Sequence, residues 1–237
     1  MPSATSPIET HGTNDGAVIV ISKVMILAAG RGSRLAPITD TTPKPLLPIQ
    51  GKPLLEWQFR SLRRAGLTDV VINLHHLGEQ IEAFVGDGER FGMQVQYSRE
   101  PALLETGGGI MHALPLLGSE PFLVLNGDIH SDFDFATLPT TLAPNVLAHL
   151  VLTPTPAHRE RGDFRLDDNR ITARGDAYVY CGIAVMHPDF FANAPQDAFS
   201  WTTDHFFHHI GELPVSAQIF RGAWNDIGSI AQYEAVK

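Results

Sequence analysis

One cysteine, Cys181, in a chain of 237 residues has no partner within the chain, which excludes an internal disulfide framework and fits a reducing cytoplasm. No run of about 18 apolar residues occurs, so no membrane-spanning helix is expected. Positive charge is also scarce: 17 Lys and Arg face 26 Asp and Glu, a formal charge of −9 that argues against a nucleic-acid surface. Residues 1–16 lack the basic start and apolar core of a secretory leader. Rich in Ser, Thr, Pro, Gly and Asn and without periodicity, they read as part of a disordered extension over 1–22, ahead of a single domain over 23–237. A hydrophobic content of 43% suffices for one sizeable core.

What is present concentrates in one stretch. An apolar run over 23–28 has the length of a core strand, and it delivers a loop containing Gly30-Arg31-Gly32-Ser33-Arg34. The loop closes on Pro43-Lys44-Pro45, where the backbone is expected to be extended. Glycines let amide groups approach phosphate oxygens, and Arg34 and Lys44 supply charge-assisted contacts, so the stretch suits a polyphosphate. A dinucleotide fingerprint fails because Leu35 stands where its third glycine belongs and because Pro37, Pro43, Pro45 and Pro48 prevent a helix from starting directly afterwards. A P-loop fails because Lys44 is too far from the glycines and is flanked by prolines. A plain connecting loop is the remaining alternative.

Strands and helices then alternate: a helix over 53–64 ending at Gly66, a strand over 69–74, a helix over 79–85, a strand over 94–98, a helix over 108–117 and a strand over 121–126. This is the βαβα order of an α/β fold with a mostly parallel sheet, whose ligands bind beyond the carboxyl ends of the strands. Segments 146–152, 164–166 and 178–186 look more antiparallel. Gly107, Gly108 and Gly109 are expected to open their helix with free N-terminal amides, with a flexible loop as the alternative.

Two carboxylates, Asp128 and Asp226, call for separate readings. Asn126-Gly127-Asp128 ends an apolar strand, where Asp128 suits magnesium, although the same tripeptide is equally good turn chemistry. Asp226, in Trp224-Asn225-Asp226-Ile227-Gly228, reads first as an N-cap for a helix over 230–236 on residue type alone. The pairs His75-His76 and His208-His209 do not form metal sites: neighbours on a strand face opposite ways, and the second pair follows Phe206-Phe207 in an expected helix.

The first loop, its lysine segment and the step Gly51-Lys52-Pro53-Leu54 together resemble the sugar-1-phosphate nucleotidyltransferases, whose pattern is L-A-[AG]-G-x-G-[ST]-R-[LM]-x-P, a lysine segment of P-K-P type, then G-[KQ]-P-[LM]. The resemblance runs from about residue 23 to the C-terminus. Leu104-Glu105-Thr106-Gly107-Gly108-Gly109 and Arg161-Gly162-Asp163-Phe164 are most similar to the branch acting on N-acetylmuramic acid 1-phosphate in cell-wall sugar recycling. No hexapeptide repeat of the kind found in acetyltransferase members is visible.

The resemblance implies a Rossmann-like three-layer sandwich of the nucleotide-diphospho-sugar transferase type, with a small antiparallel sugar-side region. It implies UTP and a sugar 1-phosphate as partners, Mg2+ as cofactor, and direct transfer with no covalent enzyme intermediate. By the same resemblance Leu27, Ala28, Ala29 and Gly30 pack against the nucleoside, and Gly32, Ser33 and Arg34 hold the triphosphate. Lys44 contacts the phosphates near the attack site, and Thr106 and Gly107 belong to the base-reading element. Glu100 is expected to accept from the uracil N3–H. Glu105 departs from the family pattern, which has glycine there. Asp128 and Asp226 become metal ligands, with Arg34, Lys44 and Asp128 as the catalytic set. Asn126, Gly127, Asp163 and Gly182 face the sugar. Mannose 1-phosphate with GTP, phosphocholine with CTP, or a non-catalytic nucleotide-sensing module remain as alternatives on the same scaffold.

Overall fold

The first apolar run forms β1 (Lys23–Leu27), whose neighbours alternate much as expected in the computed structural model, which describes residues 21–157 and 159–237. A two-strand clip, β2 (Pro48–Ile49) with β3 (Lys52–Pro53), leads into α1 (Leu54–Arg64). Then come β4 (Asp69–Leu74), α2 (Gly78–Val85), β5 (Gln94–Arg99), α3 (Glu105–Leu117) and β6 (Phe122–Asn126). The second half contains β7 (Ile129–Ser131), β8 (Ala148–Pro154), β9 (Phe164–Asp167), β10 (Arg170–Arg174), β11 (Tyr178–Met186), β12 (Val215–Ile219), β13 (Trp224–Asp226) and α4 (Ile230–Glu234).

Nine strands form one sheet in the order β5-β4-β1-β6-β11-β8-β12-β10-β9. The parallel pairing expected from the alternation holds for β5-β4-β1-β6 and recurs between β8 and β12, but β11 pairs antiparallel with β6 and with β8, and β10 with β9 and β12, so the sheet is mixed. Each parallel step in the first half spends a helix on its crossover, whereas in the second half β9 and β10 form a tight hairpin and β11 enters between β6 and β8, running against both. The antiparallel region is therefore half of the same sheet rather than a small annex.

Both faces of the sheet are buried, which accounts for strands apolar at successive positions rather than alternating. Val24 and Ile26 join a core with Leu55, Phe59 and Leu62 of α1 and Ile81 and Val85 of α2, while Met25 joins the opposite core with Ile110, Ala113 and Leu117 of α3. Ile21 is 7% exposed, and its amide donates to the Thr140 carbonyl at 3.3 Å. The expected disordered extension is thus corrected at its end, because Ile21 packs in the core; residues 1–20 lie outside the described residues.

The triple glycine also behaves differently from expectation. α3 begins at Glu105, so Gly107, Gly108 and Gly109 lie within its first turns, and the amides of Gly107 and Gly108 donate to the Phe199 carbonyl at 2.8 and 3.3 Å. Their smallness serves packing: a Cβ at Gly107 would lie 2.2 Å from the Phe199 ring, and one at Gly109 would lie 2.6 Å from Glu100 Oε1. Gly107→Ala is expected to destabilise the protein by about 1–3 kcal/mol through overpacking, lowering the urea midpoint at unchanged slope. A midpoint equal to that of the parent would show that Phe199 moves aside freely.

His208 and His209 sit on an irregular stretch, not the expected helix: a π turn over Trp201–His205 runs into a 3-10 turn over Phe206–His208. His75 and His76 lie just beyond β4, and their ring nitrogens meet the carbonyls of Glu100 and Thr39. Among the described residues no cluster of three or more potential metal-binding side chains occurs, and no helix is long and apolar enough to cross a membrane.

Candidate active site

The carboxyl ends of β1, β4 and β6 open onto a cleft of about 360 Å³. Its lining includes Leu27, Ala28, Ala29, Gly30, Ser33, Lys44, Thr106, Asn126, Gly127 and Asp128, all singled out by sequence, together with Glu105, noted there only as a departure from the family pattern, and Asn73 and Leu103, which were not noted. A second cleft of about 290 Å³ shares Asn126 and Asp128 with the first and adds Arg34, Arg159, Asp163, Tyr180, Gly182, Thr202, Thr203 and Asp226. Asn126 and Asp128 therefore form the boundary between two adjoining compartments.

The glycine and arginine loop winds through three short turns. Gly32 takes φ +64°, a left-handed conformation that glycine adopts at no steric cost, and starts the 3-10 turn Ser33–Leu35. A Cβ at Gly30 would meet nothing within 4 Å, so the backbone there is open to a ligand. Leu35 is fully buried with Leu47, Ile49, Leu54, Ile227 and Tyr233 in a small separate core. That core ties the segment carrying Arg34 to the segment carrying Asp226. The expected extended Pro43-Lys44-Pro45 is corrected: Pro43 is extended, but Lys44–Leu46 forms a 3-10 turn, closed by the Leu46 amide on the Pro43 carbonyl at 2.8 Å. This turn directs the Lys44 ammonium to Asp128 Oδ2 at 2.9 Å.

Asn126-Gly127-Asp128 forms the turn that its residue types allow, and that turn brings Asp128 into the lining of both clefts. Gly127 donates to the Leu27 carbonyl at 2.9 Å, and a Cβ there would approach that oxygen to 2.6 Å. From α1, buried Gln58 donates to the carbonyls of Asn126 and Ile129, each at 2.9 Å, strapping the turn from behind. β7 then pairs antiparallel with β13, with Asp226 opposite Ile129, and the Ile227 amide donates to the Asp128 carbonyl at 3.0 Å. Two acids far apart in sequence thus become neighbours. Asp226 is not an N-cap: Ser229 caps α4, its hydroxyl accepting from the Gln232 amide.

Burial and then the nearby Asp128 carboxylate raise the Asp226 pKa above its ordinary value, with Lys44, Arg159 and Arg34 opposing the shift. Since the folded-state value lies above the unfolded one, ionised Asp226 costs stability that the protonated acid does not. That cost is absent below the ordinary aspartate pKa of about 3.9 and fully present once pH has risen through the elevated value. Asp226→Asn, without divalent cation, is accordingly expected to melt above the parent at pH 7, the difference closing as pH falls toward 4. A difference independent of pH would contradict the charge repulsion.

Two expectations about the base-reading element are corrected. Glu100 is buried and both its oxygens are engaged, Oε1 by Asn73 Nδ2 at 2.7 Å and Oε2 by the Leu104 amide at 3.1 Å. It therefore orients Asn73, whose Oδ1 accepts from the Ala28 amide at 2.7 Å, and it does not face the cleft. Gly107 is likewise behind the lining, its amide held by Phe199, whereas Thr106 reaches the cleft and accepts from the Trp201 amide at 3.2 Å. Glu105 adopts φ +59°, a left-handed conformation that favours glycine, which explains why the family pattern has glycine there.

The second cleft has its own polar fittings. Gly182 takes φ +76° beside an irregularity in the β11 pairing, and a Cβ there would crowd Ile129 at 2.7 Å and Asn126 at 3.0 Å. Asp163 Oδ2 accepts from the Tyr180 amide at 2.9 Å. The buried atoms Asn126 Oδ1 and Tyr180 Oη have no partner among the described residues. Asn73 had a sequence signal, a lone amide in an apolar strand; Arg159, Thr202 and Thr203 had none.

A family model described as "Nucleotidyl transferase" matches residues 23–171. N-acetylmuramate alpha-1-phosphate uridylyltransferase of Neisseria meningitidis is 42% identical over 218 residues, spanning 89% of this chain and 94% of that protein. The protein of that name from Caulobacter vibrioides is 31% identical over 192 residues, spanning 74% of this chain and 79% of its own. Among solved structures, HddC from Yersinia pseudotuberculosis shares the fold, with a TM-score of 0.75 at 22% identity over 91% of this chain and 98% of that one.

Proposed function

Because the chain belongs to the nucleotidyl transferase family, we propose that this sugar-1-phosphate nucleotidyltransferase makes a UDP-sugar and pyrophosphate from UTP and N-acetylmuramate α-1-phosphate. The reaction is carried by one observation: Asp128 and Asp226 adjoin across the β7–β13 ribbon, at the junction of two clefts whose edges carry Lys44 and Arg34. The choice of sugar and base rests on the Neisseria relative. A place in peptidoglycan recycling and in the cytoplasm belongs to the same proposal.

UTP enters the first cleft, with its base toward Leu103, Glu105 and Thr106 and its phosphates along the loop from Gly30 to Arg34. The sugar phosphate enters the second, its ring over Gly182 with Asn126 and Asp163 beside it. Its phosphate oxygen attacks the α-phosphorus of UTP, the bond from that phosphorus to the bridging oxygen breaks, and pyrophosphate leaves. The attacking group is already an anion, so no enzyme nucleophile is needed. Lys44 and Arg34 hold the phosphates in line and oppose the negative charge that grows on their oxygens.

Two neighbouring carboxylates, one destabilised by the other, fit a hard divalent cation that takes one or two carboxylates plus phosphate oxygens. Asp128 and Asp226 would hold magnesium, which when bound supplies positive charge to the phosphate oxygens. The test is pyrophosphate release across UTP, GTP, CTP and ATP, each with N-acetylmuramate, glucose and mannose 1-phosphates. Product is expected with UTP and the muramate. Its absence with UTP overturns the assignment.

A further inference from the structure

We propose that Arg159 binds the lactyl carboxylate of N-acetylmuramate 1-phosphate and so distinguishes this sugar from its counterpart without that acid; the inference rests on the substrate proposed above. N-acetylmuramate is N-acetylglucosamine with a lactyl ether on O3, so the added feature is a carboxylate. Taking a carboxylate into a cleft is costly unless a cation or several donors meet it.

Among the described residues lining the second cleft, only Arg34 and Arg159 are cationic. Arg34 lies beside Gly228, where a Cβ would come within 3.2 Å of its guanidinium, and it belongs to the phosphate loop. Arg159 stands between β8 and β9, with its guanidinium 3.5 Å from Asp226 Oδ2 and 3.6 Å from Asp163 Oδ2. Both distances exceed the roughly 2.7–2.9 Å of a closed charge-assisted hydrogen bond. Asp163 Oδ2 is already taken by the Tyr180 amide. The guanidinium is thus in two long ion pairs, and its side chain remains 35% exposed.

Two threonines share the cleft with Arg159: Thr202 and Thr203 line it, with the Thr203 hydroxyl donating to Asp204 Oδ1 at 3.0 Å. The planar fork of arginine matches a carboxylate in two hydrogen bonds, which a lysine cannot reproduce.

The experiment compares kcat/KM for N-acetylmuramate 1-phosphate and N-acetylglucosamine 1-phosphate, with UTP saturating, in the parent, Arg159→Gln and Arg159→Lys. The parent is expected to prefer the muramate. Arg159→Gln reduces that preference by roughly 10- to 100-fold, as for losing a charge-assisted pair of hydrogen bonds, and Arg159→Lys falls between. Thermal melting of each variant checks folding, and the ratio of the two substrates is insensitive to a partly unfolded sample. Equal losses on both sugars would place Arg159 on the phosphate they share and overturn the inference, as would an unchanged ratio. A parent without preference for the muramate removes the proposed substrate and this inference with it, whereas a parent that prefers it beside a variant that still does removes the inference alone.

Discussion

Asp128→Asn is expected to lower kcat by at least about 10²- to 10³-fold, the scale seen when one preorganised electrostatic contact to a reacting centre is removed. The substitution keeps the side chain's size, so Gln58 can still strap the turn and the Gly127 amide can still reach the Leu27 carbonyl. Stability should change little, because two effects oppose one another. Lys44 loses its anionic partner at 2.9 Å, while Asp226 loses the neighbour that raises its pKa. The combination is diagnostic: near-parental melting with turnover nearly abolished points to a group at the chemistry, whereas a parallel loss of both points to the turn. The measurement is single-turnover pyrophosphate release over a range of magnesium concentrations. Unchanged turnover in magnesium would refute the assignment of Asp128 to the metal.

Arg34→Ala is the second large effect, with kcat expected to fall about 10²-fold while KM for UTP rises far less. The guanidinium lies on the second cleft, beside Asp226 and beyond the first cleft that would take the base. A contact reached by charge that develops during transfer contributes to the transition state more than to the ground state, and so appears in kcat. Leu35 anchors the same turn in the small core with Ile227 and is left intact, so folding should survive. A rise in KM alone would show that Arg34 binds UTP uniformly and does not act on the reaction.

Much of the glycine and arginine loop was legible because its signals are local. Glycines without a Cβ, cations at short range and prolines that forbid a helix act on their own backbone, so Gly30, Gly32, Arg34 and Lys44 stand out in the sequence. Element existence was legible for the same reason: an apolar run or a helical period reports burial wherever it occurs. Local signals failed where one polar atom had to choose between partners. Glu100 has the chemistry to read a base, yet Asn73 and the Leu104 amide claim both its oxygens. The glycines of α3 look like an amide nest, yet the Phe199 ring occupies the space they leave. Such choices depend on segments that approach only after folding.

By itself the sequence determined the α/β alternation and singled out the glycine and arginine loop and Asp128, since each rests on composition, period or the conformational limits of neighbouring residues. Tertiary structure alone decided that Asp226 stands beside Asp128 instead of capping α4, that the sheet is mixed, and that Arg159 enters the second cleft. The physical reason is that hydrogen-bonded pairing between distant strands, such as β7 with β13, is set by the competition of all strands for edges and cores. No residue carries that outcome in its own side chain.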